Sequence, residues 1–330
     1  MPHILVAGKI HDAGLKVLRA ATGVTLDVVE EVSLGAYLPF VGKAEAILIR
    51  TQPLPAEAIA KAGRLRIVSR HGVGYDSGDV AALSARGIPL TIVGDVNSGS
   101  VAEHTLMLML SLAKRVLAHD AATRTGDWNM RNRFDAIELS GKTLFVIGFG
   151  RIGRRVARLA QAFDMNVLTF DPFVAGDRIG ESGATPVARI EDSLGSADFV
   201  SLHIPLSGQG ALIGAEQLAR MKPSAMLINT ARGGLVDEAA LADALANGQI
   251  AGAGLDVFAA EPPARDHPLF ANKRVILSPH NAGLTEECAA RMAAFAAQNI
   301  LDFFAGKLDR SLVVNASNVP AKNASHEAST

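Results

Sequence analysis

A chain of 330 residues with a formal net charge of −1 is long enough for two ordinary domains, and it has no basic run that could follow a nucleic-acid backbone. Hydrophobic residues make up 49% but aromatics only 5%, so the interior must be filled by Ala, Val, Leu and Ile, as in parallel sheets covered by helices. The single cysteine, Cys288, excludes an intrachain disulfide, no apolar stretch approaches the roughly 20 residues that span a bilayer, and Met1–Gly8 reads as a strand rather than a leader, so a soluble cytoplasmic protein is expected.

From the N-terminus, short β-branched runs ("HILVAG", "EAILIR", "LRIVSR", "IPLTIVG") alternate with helical segments such as "LPAEAIAKAG" and "DVAALSARG". Repeated βα wiring closes into a parallel sheet with right-handed crossovers. From about Ser98 the texture changes to one long helical stretch, "SVAEHTLMLMLSLAKRVLAHDAAT", opened by capping-box spacing between Ser100 and Glu103. On it His104, Met107 and Met109 read as packing residues. A second alternating series follows, "TLFVIG", "NVLTFD", "ADFVSLH", "AMLINT", "AGAGLDV" and "RVILSP", with helices at "RIGRRVARLAQAF" and "DEAALADALANG". A last helix is predicted from about Thr285 to Phe304, and the polar "NASNVPAKNASHEAST" after it lacks apolar periodicity, with 319–330 expected to be disordered. The predicted architecture is α/β, two Rossmann-like parallel-sheet domains around a cleft, one of residues 1–98 with 286–318 and the other of 99–285.

The second series opens on Gly148-Phe-Gly150-Arg-Ile-Gly153, a GxGxxG that follows a strand and starts a helix, with Asp171 ending the next strand about twenty residues on. Each position has a physical reason. Gly148 makes the turn, Gly150 lets backbone approach a pyrophosphate, and Gly153 lets helix and strand pack closely, while the helix N-terminus offers free N–H groups to the anion. A carboxylate at Asp171 accepts from adenine-ribose hydroxyls and repels a 2′-phosphate, which favours NAD over NADP; on the loop alone FAD and S-adenosylmethionine stay open.

Strand C-terminal ends are where an open parallel sheet binds ligands, and three of them here finish in chemistry-bearing residues. Arg232 follows "MLINTA", Asp256 and Glu261 follow "GAGL", with Pro262 and Pro263 after Glu261, and His280 follows "VILSP". Singly, each reads as easily as a surface charge, a loop acid or a capping histidine. Together they supply what hydride transfer from a 2-hydroxy acid needs: a base for the hydroxyl proton, a carboxylate to orient it, and a cation for the substrate carboxylate. No His or Cys spacing fits a metal site, and His267 in "RDHP" stands too isolated to assign.

The motifs "GFGRIG", "LHIPL", "NTARGGLVDEAAL", "GLDVFAAEPP" and "SPHNAG", in this order between about Ile47 and Asn315, resemble the NAD-dependent D-isomer-specific 2-hydroxyacid dehydrogenases, and among them the phosphoglycerate dehydrogenase-like members. The resemblance implies a catalytic trio of Arg232, Glu261 and His280. It implies NAD contacts at Gly148, Gly150, Arg151, Ile152, Gly153, Asp171, Pro172, His203, Pro205, Thr230, Ala231, Arg232, Asp256, His280, Ala282 and Gly283, with Asp256 near the nicotinamide carboxamide. The loop "RHGVGYDS" resembles the family's substrate loop, with amides around Val73 and Gly74 holding the carboxylate, Gly72 beside them, and Arg50 and Arg70 facing the distal end of the substrate. By the same resemblance 1–98 with 286–318 is the substrate-binding domain, 99–285 binds NAD, closure hinges near Ser98 and Gly283, and a homodimer forms through the long helix and "WNMRNRF", from which Arg131 and Arg133 could reach the partner.

The chain also departs from the family pattern. Ser207-Gly-Gln-Gly210 replaces a threonine-bearing turn, which puts that loop's cofactor contacts in doubt, and His71 stands where phosphoglycerate enzymes often carry a small residue, so it could narrow or polarise the substrate pocket. The sequence ends without the regulatory domain of longer phosphoglycerate dehydrogenases, so serine feedback is not expected. The leading expectation is a D-2-hydroxy-acid dehydrogenase acting on 3-phosphoglycerate or a similar anion. Glyoxylate or hydroxypyruvate reduction, phosphite oxidation and a non-catalytic NAD-sensing corepressor stay open, and formate dehydrogenase is disfavoured because Glu261 is kept.

Overall fold

The structure, a computed structural model, describes residues 2–206, 208 and 210–320. The chain divides into two compact units, Met1–Asn97 with Leu284–Thr330, and Ser98–Gly283.

The first unit is built on a five-stranded parallel sheet of β1 (His3–Ala7), β2 (Thr25–Val29), β3 (Ala46–Ile49), β4 (Ile67–Arg70) and β5 (Leu90–Thr91), in the order β2-β1-β3-β4-β5. The inner strands β1, β3 and β4 are buried on both faces, which is why they read as unbroken apolar runs. The edge strand β2 escapes a reading of apolar runs because none of its residues is fully buried and it carries Asp27, whose carboxylate binds His3 Nε2 and Lys43 Nζ, each at 2.8 Å. The helix Glu286–Phe304 completes this unit. Thr285 caps it by accepting from Cys288 N, and Cys288, Met292, Ala293, Ala296, Ala297, Ile300 and Phe303 recur every three or four residues to share a core with Ile4, Leu48 and Ile67. Two polar ties fix it to the sheet layer: Ser69 Oγ donates to Ala296 O at 2.8 Å, and Asn299 Nδ2 to Ile92 O at 3.1 Å.

The second unit has a seven-stranded parallel sheet, β6 (Thr143–Ile147), β7 (Asn166–Phe170), β8 (Thr185–Pro186), β9 (Phe199–Leu202), β10 (Met226–Asn229), β11 (Gly252–Leu255) and β12 (Val275–Leu277), ordered β12-β11-β10-β9-β6-β7-β8. The chain starts at β6 in the middle and winds outward both ways. The β6/β9 boundary is therefore the topological switch point, where a crevice opens beyond the strand C-termini. One core layer centres on Phe145, Val200 and Leu227 and the other on Val146, Phe199 and Ile228, the alternate faces of the same strands.

Two sequence expectations need correction. The stretch read as one long helix from Ser100 is two, Ser98–Ala113 and Val116–Arg124, separated by Arg115 at φ 51 in the left-handed region, with its guanidinium paired to Asp135. Ser100 lies inside the first turn, buried, and so is not the cap. The polar tail is ordered as far as Pro320. Asn315 is buried, with its side chain accepting from Leu90 N at 3.0 Å and donating to Ile88 O at 2.9 Å and Ser84 Oγ at 3.1 Å, while Val319, expected to be disordered, is 9% exposed. One fully bonded side chain anchors a segment that apolar periodicity cannot detect; the remaining 321–330 lie outside the described residues.

Asn315→Ala leaves the Leu90 N–H and Ile88 carbonyl without their side-chain partner. Urea unfolding should show a loss of about 1–3 kcal/mol; an unchanged midpoint would show that the segment is not anchored there.

Candidate functional site

The site builds from the C-terminal ends of the second unit's strands. At the end of β6, Gly148 has φ +100, and a Cβ on it would stand 2.5 Å from His203 O and 2.6 Å from Ile204 Cγ2. The turn after β6 thus rests directly on the chain leaving β9. A Cβ on Gly153 would lie 1.9 Å from Gly148 O, so only glycine lets the helix Arg151–Gln161 seat against its strand. At Gly150 a Cβ would meet nothing within 4 Å, and as helix N-cap Gly150 offers no side chain to the first N–H groups. A cradle results, closed below by two glycines and open above the helix N-terminus, and a pyrophosphate fits it.

Asp171, one residue past β7, accepts from Phe149 N at 2.7 Å through one oxygen and from Phe173 N at 2.8 Å through the other. Each oxygen keeps a lone pair, so the carboxylate is aimed by the backbone while still able to accept from ribose hydroxyls. Pro172 and Pro205 are exposed beside these strand ends. His203 backbone supports Gly148, and its ring binds Ser201 Oγ at 2.8 Å; burial pushes that imidazole down to about 3, so it stays neutral. Ser207 and Gln209, singled out in the sequence as a departure, lie outside the described residues.

The sheet edge brings His280 and Glu261 together. His280 Nδ1 lies 2.7 Å from Glu261 Oε2, and Phe258 N donates to Glu261 Oε1 at 3.1 Å. Burial raises the Glu261 carboxyl, but the His280 and Phe258 hydrogen bonds and the charges of His280 and Arg232 outweigh it and hold the group below its ordinary value. Glu261 is then ionised and can only accept, so Nδ1 carries the proton and Nε2 of the neutral ring is left as a base. The His280 side chain is 51% exposed, so this base is reachable. Arg232 directs Nη1 to Ala231 O at 2.7 Å, and its charge acts on Glu261.

His280 itself has φ 50, left-handed and unusual for a residue with a Cβ. Asp256 holds it there. Its backbone carbonyl accepts from His280 N at 2.7 Å, and its carboxylate, 1% exposed, accepts from Asn281 N and Ala282 N at 2.9 Å each and from Ser278 Oγ at 2.6 Å. Asp256, expected near the nicotinamide carboxamide, anchors through these bonds the 278–282 turn that carries His280 towards Ala282 and Gly283. His104, read as apolar packing, corrects to a member of this network, with Nε2 2.9 Å from Ser278 Oγ and 3.7 Å from Asp256, and burial pushes its imidazole below the ordinary value against the pull of Asp256.

Other residues were missed by sequence. Asn229, at the end of β10, ties down the turn before the arginine by accepting from Ala231 N at 3.0 Å and donating to Arg232 O at 2.8 Å. Thr230, expected at the cofactor, is 8% exposed and its hydroxyl pairs with Thr105 Oγ1 at 3.0 Å. Arg151 and Ile152 sit in the first turn of their helix, as the glycine loop requires.

In the first unit, Arg50, Arg70 and His71 lie side by side because β3 and β4 pair Ile49 with Arg70, and His71 N donates to Ile49 O at 2.8 Å. Arg50 Nη1 donates to Lys9 O at 2.7 Å and Arg70 Nη1 to His71 O at 3.0 Å. Gly72 has φ +145 with Arg70 Nη1 3.7 Å from where a Cβ would be, and Val73 and Gly74 follow, half-buried. The His71 ring is 5% exposed, and neither nitrogen has a hydrogen-bond partner. Burial first, then the Arg50 charge and less strongly that of Arg70, push it down to about 4, against a weak pull from the backbone at His71 and Ala289.

Residues 106–282 match the family described as D-isomer specific 2-hydroxyacid dehydrogenase, NAD binding domain. The D-3-phosphoglycerate dehydrogenase of Methanocaldococcus jannaschii is 38% identical over 328 residues, 97% of this chain, which spans 60% of that enzyme's length. A glyoxylate reductase of Korarchaeum cryptofilum is 40% identical over 271 residues, 81% of either chain. Among solved structures, the D-lactate dehydrogenase of Aquifex aeolicus complexed with NAD and lactic acid superposes with a TM-score of 0.86 at 29% identity, covering 94% of this chain and 99% of that one.

Burial of a neutral His71 has a consequence for stability. The ring takes up its proton near pH 6.5 when unfolded but only near 4 when folded, so its contribution is complete above pH 6.5 and is lost as the pH falls towards 4. The loss is about 1.4 kcal/mol per pH unit. Urea titrations of the parent and His71→Leu between pH 7 and 5 should diverge by about 2 kcal/mol in this sense, and parallel curves would refute it.

Proposed function

Since this chain belongs to the D-isomer specific 2-hydroxyacid dehydrogenase family, we propose that it is an oxidoreductase that uses NAD to interconvert a D-2-hydroxy acid and its 2-oxo acid, with Arg232, Glu261 and His280 as catalytic residues. The observation that carries the reading is the 2.7 Å contact of His280 Nδ1 with an ionised Glu261, on which the charge of Arg232 also acts, so that Nε2 is left as the base. Bound nicotinamide supplies the hydride acceptor in oxidation and the donor in reduction.

In oxidation, His280 Nε2 takes the proton of the C2 hydroxyl, Glu261 stabilises the imidazolium that forms, and Arg232 pairs with the substrate carboxylate and with the oxygen that becomes the carbonyl. In reduction, protonated His280 returns the proton to that oxygen. Oxidation therefore needs the imidazole neutral and reduction needs it protonated, so the two directions carry opposite pH trends. The glycine cradle of Gly148, Gly150 and Gly153 with Arg151 and Ile152 takes the pyrophosphate, and Asp171 with Pro172 takes the adenine ribose. His203, Pro205, Thr230, Ala231 and the Asp256-anchored turn at Ala282 and Gly283 line the remainder of the cofactor site. In the first unit the amides around Gly72, Val73 and Gly74 receive the substrate carboxylate, and Arg50 and Arg70 favour a substrate with a second anionic group, 3-phosphoglycerate or a similar acid. The 40% identity to a glyoxylate reductase favours glyoxylate or hydroxypyruvate as the second reading.

A homodimer is part of the same proposal. The helix Val116–Arg124 buries none of its residues, and Leu117, Trp128 and Phe134 are 61%, 67% and 89% exposed, which supports a self-association surface along 116–134 that includes Arg131 and Arg133. Cytoplasmic placement belongs here too; among the described residues no helix is long and apolar enough to cross a membrane.

NADH absorbance on addition of 3-phosphoglycerate, hydroxypyruvate, glyoxylate and D-lactate tests the activity and ranks the substrates. His280→Ala should lower turnover by about 10²–10⁴-fold with the cofactor still bound; unchanged turnover would sink the assignment. Asp171→Ala should weaken NAD binding and narrow its preference over NADP, and an unaltered ratio would remove that role. Light scattering that finds an active monomer would dispose of the dimer.

A further inference from the structure

Glu261 stands on a loop with its side chain 38% exposed, yet both its oxygens are aimed. Phe258 N and His280 Nδ1 aim them, and behind Phe258 a second carboxylate–imidazole pair, Glu238 and His267, holds the Phe258–Ala259 peptide. Glu238 Oε1 accepts from Ala259 N at 2.7 Å, and its other oxygen lies 3.0 Å from His267 Nε2. Both side chains are largely buried, 17% and 12% exposed. His267 Nδ1 accepts from Leu269 N at 3.4 Å, so Nε2 carries the proton and donates it to Glu238. The His267 ring also stands edge-on to Phe258, centroids 5.6 Å apart, and Phe270 packs against both rings. Phe258 itself gives the N–H of the adjoining Val257–Phe258 peptide to Glu261 Oε1.

The same peptide lies on the backbone beside Arg232. A Cβ on Gly233 would stand 1.8 Å from Phe258 C and 2.3 Å from Ala259 N, so Gly233 is the only residue type that lets the two backbones meet. Glu238 is free to reach across because Asp237 already caps its helix, accepting from Ala239 N and Ala240 N. Residues 233, 238, 258–261 and 267 thus converge on the two consecutive peptides that share Phe258.

We infer that Glu238 and His267 are positioning residues, a clasp that fixes the Phe258–Ala259 peptide and through it the carboxylate of Glu261 relative to His280 and Arg232. The inference rests on the reading of Glu261 as the partner of the catalytic base. Their bonds run to Ala259 N, Leu269 N and each other, and they act by keeping Glu261 from rotating into solvent.

His267→Phe preserves the ring contacts with Phe258 and Phe270 and removes the bond to Glu238, while His267→Gln keeps a donor. With the best 2-oxo acid of the substrate panel and NADH, His267→Phe should lower kcat roughly tenfold, short of the ~10²-fold cost of a 1 Å misplacement, with KM and NADH affinity unchanged, and His267→Gln should recover most of the loss. Placed on Glu261→Gln, His267→Phe should add no further loss, because its effect runs through Glu261. Hydrogen exchange read by mass spectrometry should show faster exchange in the peptide holding Phe258 and Ala259 and no change in β10 and β11, a readout that needs no turnover. Unchanged exchange in that peptide, additive losses, or faster exchange throughout the second unit with a parallel drop in Tm would each overturn the clasp. If Glu261→Gln itself leaves turnover intact, the catalytic reading fails, and the exchange measurement still decides whether Glu238 and His267 hold the peptide.

Discussion

The arrangement at the strand ends depends on one buried carboxylate. Asp256 takes three donors from the 278–282 turn through its side chain and a fourth, His280 N, through its backbone carbonyl. A left-handed residue other than glycine costs about 1–2 kcal/mol, and His280 stays in that conformation because its own N–H and the two that follow it are all bound to Asp256. The backbone that projects the imidazole is thereby fixed by a group which itself faces no solvent. Only then does the contact with Glu261 have a defined geometry.

One imidazole at a strand end of each unit is pushed below its ordinary value. His71 and His203 are buried without a carboxylate, so desolvation keeps them neutral, and for His71 the charges of Arg50 and Arg70 act in the same direction. Glu261, in contrast, is kept ionised by hydrogen bonds and cationic neighbours that outweigh its burial. Burial without a partner and burial with hydrogen-bonding, cationic partners thus leave the histidines neutral and the carboxylate charged.

Much of this was legible in the chain. The inner strands are buried on both faces and so spell unbroken apolar runs, and the glycine spacing with Asp171 one strand further on is dictated by steric limits that act within about twenty residues. Strand ends that finish in Arg, Glu and His could likewise be read, because a parallel sheet puts all its C-termini on one side. What hid was whatever lacks local periodicity: β2, nowhere fully buried and marked by a charged Asp27; the break at Arg115; and the order at Asn315, which comes from three hydrogen bonds to residues more than two hundred positions away.

By itself the sequence determined the α/β class, the nucleotide loop and which residue types stand at the strand ends, since these follow from patterns a few residues long. Only the tertiary structure decided which of those residues meet. It paired His280 with Glu261 rather than with Asp256, turned Asp256 and His104 into supports for one turn, and joined Glu238 to His267, a histidine whose neighbours in sequence say nothing of its partner. Hydrogen bonds between groups twenty to two hundred residues apart are set by how strands and helices stack, and a linear pattern carries no record of that distance.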